Sequence, residues 1–350
     1  MATAIAMPAN RRRRNLMMLG GTTAAFVVLA VASIFIQANQ LARKFEPRPF
    51  FPGLPSAVNQ LGEIAIVSKT VTLHVKKMGE DWVIAEKNNF PASQAQMRAV
   101  AVGIADLQAL EPKTARADWL KFIGLDAPPE GNATRLTLSD ASGKTIADLL
   151  TGQREGTADE LGRSTLYVRK PDENQSWLAR GYLDIKPNAT DWLDKSVLVI
   201  ARDRVKGAIV TPKEGPSYTL SRDNKDQQDF KVVDMPRGRE LSFDGSPDGV
   251  AGAIVGFAFD DVAKADQFNF DRVPQQVSQT FDGLNLTVKI ATKDGKNWAT
   301  VTAAGTNDMT REEATMINAR IGGWAFQIPE SKVTQFVSPR ETLLKPPPGR

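Results

Sequence analysis

The sequence has no cysteine and only one histidine, His74, in 350 residues. Without cysteine, disulfide bonds, thiolate catalysis, thiolate-bound zinc and a lipid-modified cysteine are all excluded. A metal site with several histidine ligands is excluded as well, and a histidine-based catalytic triad would have to use His74. The sequence shows no catalytic, cofactor-binding or metal-binding set. We therefore expect a protein that is not an enzyme and needs no cofactor.

The chain also lacks excess charge outside one short run. It has 44 basic and 40 acidic side chains, a formal net charge of +4. Four of the basic residues are consecutive, Arg11, Arg12, Arg13 and Arg14, so residues 15–350 are formally neutral. Binding to a phosphate backbone requires a basic surface, which a neutral body does not provide. We expect no nucleic-acid partner.

One apolar segment is long enough to cross a membrane. Leu16 to Ile36 is 21 residues without a charge, which a helix would extend over about 31 Å, against about 30 Å of hydrocarbon. The arginines before it favour a cytoplasmic tail over residues 1–14. We predict an uncleaved anchor over residues 15–37. The alternatives are a signal peptide cleaved near Ala30-Val-Ala32 and a buried core helix.

The remainder of the chain is expected to lie outside the bilayer, on the side opposite to residues 1–14. Residues 38–60 contain four prolines and predict an extended, proline-rich linker. Two similar segments follow, over residues 61–200 and 205–340, and residues 341–350 form a tail.

The two segments repeat one pattern of short alternating strands. In each, an aromatic residue follows an aspartate at the third strand, and we expect Trp82 and Phe230 to occupy the same core position. The strands of the first copy are predicted at Ile64–Ile66, Val71–Val75 and Asp81–Ala85. Those of the second are predicted at Ala208–Val210, Tyr218–Leu220 and Asp229–Val233.

A helix is predicted after the strands of each copy. The first has an apolar stripe at helical spacing and is expected to stop at Glu111-Pro112. The second is expected to begin at the N-cap Ser246 and Pro247. The stripe of the first helix consists of Met97, Val100, Ala101, Ile104 and Leu107, and that of the second consists of Val250, Ile254 and Phe257.

Hairpins follow these helices, at residues 135–150 and, as their counterpart, at residues 284–301, where Asp294-Gly295 is a strong turn signal. The second copy then has a capping box at Thr310 and Glu313 that predicts a further helix. Antiparallel strands interrupted by single helices indicate an α+β fold, with one main helix in each of two tandem, diverged repeats.

These elements resemble the domain-of-unknown-function family 4340 (DUF4340) over about residues 60–340. The resemblance implies a bacterial envelope protein, of a kind that is often membrane-anchored and commonly encoded beside ABC-type transport components related to gliding-motility systems. We accordingly expect the anchor in the inner membrane and the bulk of the chain on the periplasmic side. The resemblance implies no catalytic residues. The matching segments are Ile64–Val75, Asp81–Val83, Phe90–Ala92, Met97–Leu107, Phe122–Leu125 before Pro128, and Trp177–Leu193.

Only one binding patch is suggested by the residues, formed by Trp177, Arg180 and Tyr182. The other tryptophans, Trp119, Trp192 and Trp324, are expected to be core anchors. His74 alternates with Leu73 and Val75 and is expected to face outward.

Three further segments invite a functional reading, and each has a simpler structural one. The acidic residues from Asp260 to Asp271 lack the glycine of a calcium loop and predict a solvated loop. Asp191 and Asp194 could be paired carboxylates on one helix face, but a short helix capped by Thr190 or Asp191 explains them more simply. Gly152 to Gly156 lacks the lysine of a phosphate-binding loop, so we predict an ordinary loop between strands.

Taken together, the sequence predicts a membrane-anchored, extracytoplasmic accessory or structural subunit of an ABC-type transport system or another envelope assembly. Its expected partners are the lipid bilayer and ABC permease or ATPase subunits. Gly20-Gly21 would allow the anchor to approach a partner helix closely. The alternative is a periplasmic binding module for an envelope ligand such as glycan or peptidoglycan, with tryptophans as the platform.

Overall fold

The computed structural model describes residues 17–18, 20–23, 26–33, 46–186 and 188–346. The first three of these ranges are helical, and they fall in the segment predicted as an anchor, residues 15–37. No helix among the described residues is both long enough and apolar enough to cross a membrane. The basic tail with Arg11–Arg14, residues 38–45 of the linker and residues 347–350 lie outside the described residues.

The first sheet is built from ten strands and contains antiparallel pairs throughout. The strands are β1 Arg48–Pro49, β2 Leu61–Val67, β3 Thr72–Met78, β4 Asp81–Ile84, β5 Phe90–Pro91, β6 Gln108–Pro112, β7 Thr134–Asp140, β8 Thr145–Glu155, β9 Ser164–Arg169 and β10 Ser176–Gly181. Their order is β1-β6-β10-β9-β8-β7-β2-β3-β4-β5.

The second sheet has eight strands, also paired antiparallel. They are β11 Val205–Thr211, β12 Tyr218–Ser221, β13 Lys231–Val232, β14 Asp261–Lys264, β15 Gln275–Thr280, β16 Leu284–Lys293, β17 Lys296–Gly305 and β18 Trp324–Ile328. Their order is β13-β12-β11-β15-β16-β17-β18-β14.

The two sheets share one strand order. Written from its other end, the first sheet contains the series β4-β3-β2-β7-β8-β9-β10-β6, which matches the second sheet strand for strand. The strands β5 and β1 are additions at the two edges. The α+β class is therefore confirmed, and the repeat seen in the sequence corresponds to a repeated topology.

The equivalence of the hairpins differs from the prediction by one strand. The counterpart of β7–β8 is β15–β16, whereas the sequence suggested β16–β17. The cause is β15, whose buried face is polar and therefore lacks hydrophobic alternation: Gln276, Ser278 and Thr280 are all at least 95% buried. The amide of Gln276 donates to Val250 O at 2.8 Å, so burial leaves this group satisfied.

Within residues 46–186 and 188–346, five α-helices accompany the sheets: α1 Leu54–Ala57, α2 Gln94–Ala105, α3 Asp248–Ala251, α4 Asp308–Ile321 and α5 Glu330–Val337. In α2 the predicted stripe is buried, and the Ser93 side chain accepts the N–H of Gln96 at the N-terminus. The helix ends at Ala105 rather than at Glu111-Pro112, where β6 lies instead. Leu107 continued the stripe because it faces the same core from outside the helix.

The helix predicted after Ser246-Pro247 is reduced to the single turn α3. Ser246 does not cap it, since its hydroxyl donates to Leu343 O at 3.0 Å. Three glycines follow at positions 249, 252 and 256, each costing about 1 kcal/mol in a helix relative to alanine. Val250, Ile254 and Phe257 are still buried, so the stripe predicted burial correctly and helix length wrongly.

The main helix of the second repeat is α4, and its capping box lies three residues earlier than predicted. Asn307 is the N-cap, and its side chain accepts the N–H of Thr310 at 3.0 Å. Thr310 returns the bond by accepting the N–H of Asn307 at 3.3 Å. Asparagine serves as well as threonine in this role.

Part of the predicted linker is folded. Residues 48–60 form β1, α1 and a 3-10 turn rather than an extended stalk. Phe50 and Leu54 are buried, with 8% and 2% exposure, in the same core as the sheet. Prolines were a misleading signal here, because the edge position of β1 tolerates Pro49, which has no N–H to donate.

A single apolar core joins the two sheets, and Phe90 of β5 is central to it. Its ring lies 4.9 Å from that of Trp324 and 6.1 Å from those of Phe259 and Phe326, in edge-to-face contacts. Such aromatic contacts add to the hydrophobic stabilisation of burial. The two repeats therefore pack as one body.

Polar contacts surround this junction. Lys87 Nζ lies 2.6 Å from Asp261 Oδ1, and Lys195 Nζ donates to Phe259 O at 2.7 Å. Burial lowers the pKa of Lys195. Arg320, at the end of α4, donates to Asp194 Oδ2 at 2.7 Å. Each contact connects a residue before position 200 with one after it.

Replacing Phe90 by alanine should strongly destabilise the whole fold. Loss of a buried phenylalanine costs about 3–5 kcal/mol, and here it also removes the ring contacts between the sheets. Thermal unfolding of the full chain should show a lower midpoint. The matched control is Phe122→Ala, because that ring is 66% exposed and its loss should leave the midpoint nearly unchanged. Equal midpoints for the two variants would contradict the central role of Phe90.

Acid should weaken the junction through Asp194. Burial opposes the charge of Asp194, but hydrogen bonds from Ser196 and Arg320 outweigh it and hold its pKa below the ordinary value. The carboxylate thus stabilises the fold above about pH 4, and this is lost as the pH falls through the lowered pKa. Asp194→Asn should lower the unfolding midpoint at pH 7, with a difference from wild type that shrinks below about pH 4. Asp223→Asn, at an exposed position, is the control, and a difference that does not vary with pH would refute this role.

Candidate functional site

A groove of about 860 Å³ lies where the N-terminal part of the fold, α2 and the end of β10 meet. Its size is in the range of small-molecule sites, about 300–1,000 Å³. Most of its lining is apolar. The walls are formed by Pro49, Pro52 and Pro55 on one side, by Ala95, Arg98, Ala99, Val102 and Gly103 of α2 on another, and by Arg163, Arg180 and Tyr182 at the far end.

Gly103 sets how closely α2 approaches the end of β10. A Cβ atom at this position would lie only 2.2 Å from Tyr182 O, so no larger residue fits without displacing backbone. A hydrogen bond from Gln96 Nε2 to Asp184 O, at 2.9 Å, fixes the same contact nearer the start of the helix. The floor of the groove is therefore rigid.

The proline wall is held by the first sheet. In β1, Arg48 and Pro49 are opposite Ala109 and Gln108 of β6. The next residue, Phe50, donates its N–H to Leu107 O at 2.7 Å. The buried side chains of Phe50 and Leu54 then point into the core. The prolines beside and between them, Pro49, Pro52 and Pro55, remain exposed at the groove.

Positive charge is concentrated at the groove. Three arginines line it, against the single carboxylate of Asp106. Arg163 is neutralised by Asp159, at 2.9 Å, and the N–H of Arg163 helps to hold the pKa of Asp159 below its ordinary value. Across residues 46–186 and 188–346, neither Arg98 nor Arg180 has an ion pair or a side-chain hydrogen bond. These two guanidinium groups are thus available beside an apolar wall.

The predicted patch of Trp177, Arg180 and Tyr182 is divided between two grooves. Arg180 and the half-exposed Tyr182 line the larger one. Trp177 lines a neighbouring groove of about 300 Å³, where the guanidinium of Arg48 lies 5.1 Å from its ring centroid. Pro49 and Pro52 border both grooves, so the three side chains are near neighbours that face different spaces.

His74 faces outward as predicted, while Leu73 and Val75 are fully buried. Its Nδ1 lies 2.7 Å from Glu86 Oε1, and the other oxygen of Glu86 accepts the N–H of His74 at 2.9 Å. This carboxylate links two parts of the first sheet. Among the described residues, no three or more histidine, aspartate or glutamate side chains lie together in a group that could hold a metal ion.

Several predicted loop residues have structural roles. Asp261 begins β14 and pairs with Lys87, so the acidic segment is not wholly a solvated loop. Neither Thr190 nor Asp191 caps the 3-10 turn Ala189–Trp192, whose N-cap is Asn188, and Asp194 lies beyond this turn and binds Arg320. Residues 152–155 belong to β8, where Gly152 has no room for a Cβ, which would lie 2.3 Å from Ile123 O.

Trp192 and Trp324 are buried, as predicted for core anchors. Trp119 is not, since it is 51% exposed and meets the exposed ring of Phe122 at 6.4 Å. The 3-10 segment Ala117–Ile123 buries Leu120 instead. At the third strands, Phe230 is buried but Trp82 is only half-buried, so the two do not occupy equivalent core positions.

A second depression, of about 960 Å³, lies between the two sheets. Its lining includes Trp82, Met316 and the ion pair of Asp194 with Arg320. This pair is internally satisfied, whereas the first groove has arginines without a protein partner in the described part of the chain. We therefore regard the first groove as the better candidate site.

Sequence reasoning identified Arg180 and Tyr182 but missed Arg98. A signal existed: Ala95, Ala99 and Val102 place apolar residues on the face of α2 opposite the buried stripe, with Arg98 among them. An outward face of this kind covers a second apolar surface. The prolines of the opposite wall could not be placed there, because they were assigned to a linker.

The model of the family described as domain of unknown function (DUF4340) matches residues 82–289, more than half of the chain. The chain belongs to this family. The match begins in β4 and ends in β16, so the family unit crosses both sheets and is not one repeat. No curated protein and no solved structure matches the chain.

Substituting alanine for Gly103 should distort the groove. The added Cβ must displace the backbone of Tyr182, and overpacking of this kind costs about 1–3 kcal/mol, more than the helix propensity that alanine restores. The thermal midpoint should fall. Gly249→Ala is the matched control, since its Cβ would meet nothing within 4 Å. An unchanged midpoint in both variants would show that the contact between α2 and Tyr182 is loose.

Proposed function

We propose that this protein is a membrane-anchored, non-catalytic accessory subunit of an ABC-type transport system or another bacterial envelope assembly. Its anchor would be residues 15–37 in the inner membrane, with Arg11–Arg14 in the cytoplasm and the two sheets in the periplasm. The observation that carries the proposal is the continuity between the N-terminal segment and the folded core.

The N-terminal segment joins the folded core through well-defined contacts. The chain becomes part of the first sheet at Arg48, and Phe50 and Leu54 are buried in its core. Only about a dozen residues then separate the apolar segment, which ends at Ile36, from the folded body. A connection this short, ending in a rigid sheet, keeps the body close to the bilayer. That position suits a subunit whose partners lie in the membrane.

Two features of the sequence support a partner in the membrane. Gly20-Gly21 and the small residues after it would permit close packing against another helix. The formally neutral body has no charged field that would direct it to a polyanion. We propose permease or ATPase subunits as the partners, bound through the anchor and through surfaces of the two sheets.

Purification of the full chain from its native membrane in mild detergent should recover permease or ATPase subunits. Gly20→Leu with Gly21→Leu should reduce the recovery, because larger side chains separate the helices. The matched control, Val27→Leu with Val28→Leu, changes the same segment without filling the glycine positions. Recovery of the wild-type protein alone, as a monomer, would contradict the proposal.

A further inference from the structure

We propose that the groove between α2 and the prolines of residues 49–55 binds a long-chain fatty acid, with the carboxylate at Arg98 and Arg180 and the alkyl chain along the prolines and Val102. This ligand site is separate from the partner surfaces proposed above. It is argued from the charge and the lining of the groove.

The first step is the state of the two arginines. Arg98 is exposed on α2 and Arg180 is half-buried at the end of β10, and both line the same groove. Several arginines elsewhere in the fold are held by carboxylates, as Arg204 is by Asp282 and Glu313, each at 2.8 Å. In the part of the chain that the structure describes, Arg98 and Arg180 have no such partner. A guanidinium group recognises a carboxylate through paired hydrogen bonds.

The second step is the apolar wall. Pro52, Pro55 and Ala99 face the groove, and Val102 is 46% exposed although it is a large apolar residue. A small inorganic anion or a sugar would leave this surface in contact with water. An alkyl chain covers it, and each methylene group that leaves water contributes to binding.

The third step is the number of charges. Three arginines line the groove, Asp106 lies beside them, and Asp159 is bound to Arg163. The three positive and two negative groups leave a net charge of +1. This balance favours a monoanion such as a carboxylate over a phosphate monoester, which carries about two negative charges near neutral pH.

In the topology proposed above, on which this step rests, the groove lies close to the membrane. The proline wall starts about a dozen residues after the predicted anchor, so only a short stretch of chain separates the groove from the bilayer. A fatty acid partitions into a bilayer and is available there. An apolar wall with a cationic end therefore matches a ligand that the surroundings supply.

The test uses the full-length protein in nanodiscs of zwitterionic lipid and a fatty acid with a photoreactive diazirine on its alkyl chain. Irradiation followed by peptide mass spectrometry should place labels on residues 49–55, on α2 and at Tyr182. Unlabelled fatty acid should compete, and the matching fatty alcohol should compete about tenfold less well or worse.

Variants separate the charge from the wall. Arg98→Gln with Arg180→Gln should reduce labelling of the groove about tenfold or more, while Arg237→Gln, in an exposed turn after β13, should not. Val102→Trp fills the groove and should abolish labelling although both arginines remain. Thermal midpoints close to that of wild type would show that these variants fold.

Three results would overturn the proposal. They are labels confined to residues 15–37, equal competition by the alcohol, and stronger competition by an alkyl phosphate than by the carboxylate. None of these depends on whether partner subunits copurify, so the ligand site and the proposed assembly fail or succeed separately.

Discussion

The insertion of Phe90 into the aromatic cluster of the second sheet is the contact on which the rest of the arrangement depends. Phe90 lies on the edge strand β5, and its ring meets Phe259, Trp324 and Phe326. Helix α2 begins three residues after β5 ends, so the position of the helix follows from that of the strand. Because α2 forms one wall of the candidate groove, the shape of the groove is tied to the packing between the repeats. The family match, which runs from β4 to β16, includes Phe90 and Phe259 of this junction and covers strands of both sheets.

Two sets of charged side chains in the fold differ in their partners. Around the junction, Lys87, Lys195 and Arg320 each bind a carboxylate or a carbonyl oxygen from the other repeat, and this fixes the relative position of the sheets. At the groove, Arg98 and Arg180 have no equivalent partner among the described residues. An arginine without an ion pair adds little to the stability of the fold, and both guanidinium groups are therefore available for the ligand proposed above. Because residues 15–350 are formally neutral as a whole, the net charge does not reveal this local excess of positive charge.

Much of the fold was predictable from the sequence because hydrophobic alternation and turn residues are strong local signals. Asp294-Gly295 correctly marked the turn between β16 and β17, and the strands predicted at Ile64–Ile66 and Ala208–Val210 lie within β2 and β11. Strand β15 was missed, since its buried face is hydrogen-bonded polar residues, and α3 was predicted too long, since burial of Val250 and Ile254 does not require a helix. Of the residues that line the groove, Arg180 and Tyr182 were named from the sequence, because they lie close to Trp177 along the chain. Arg98 and the prolines were not, because a groove between elements distant in sequence leaves no local pattern.

The pairing of β1 with β6 has a consequence for the outer edge of the first sheet. The inner side of β6 is bonded to β10, and its other side would present free N–H and C=O groups if the residues of β1 were absent. Free edges of this kind invite strand addition from neighbouring copies and lead to aggregation. The chain closes the edge with the segment that precedes the main part of the sheet, and its proline prevents further pairing on the outer side. Proteolysis before residue 46 would release the folded body with its edge protected, whereas a cut between residues 50 and 60 would release it with that edge open to polymerisation.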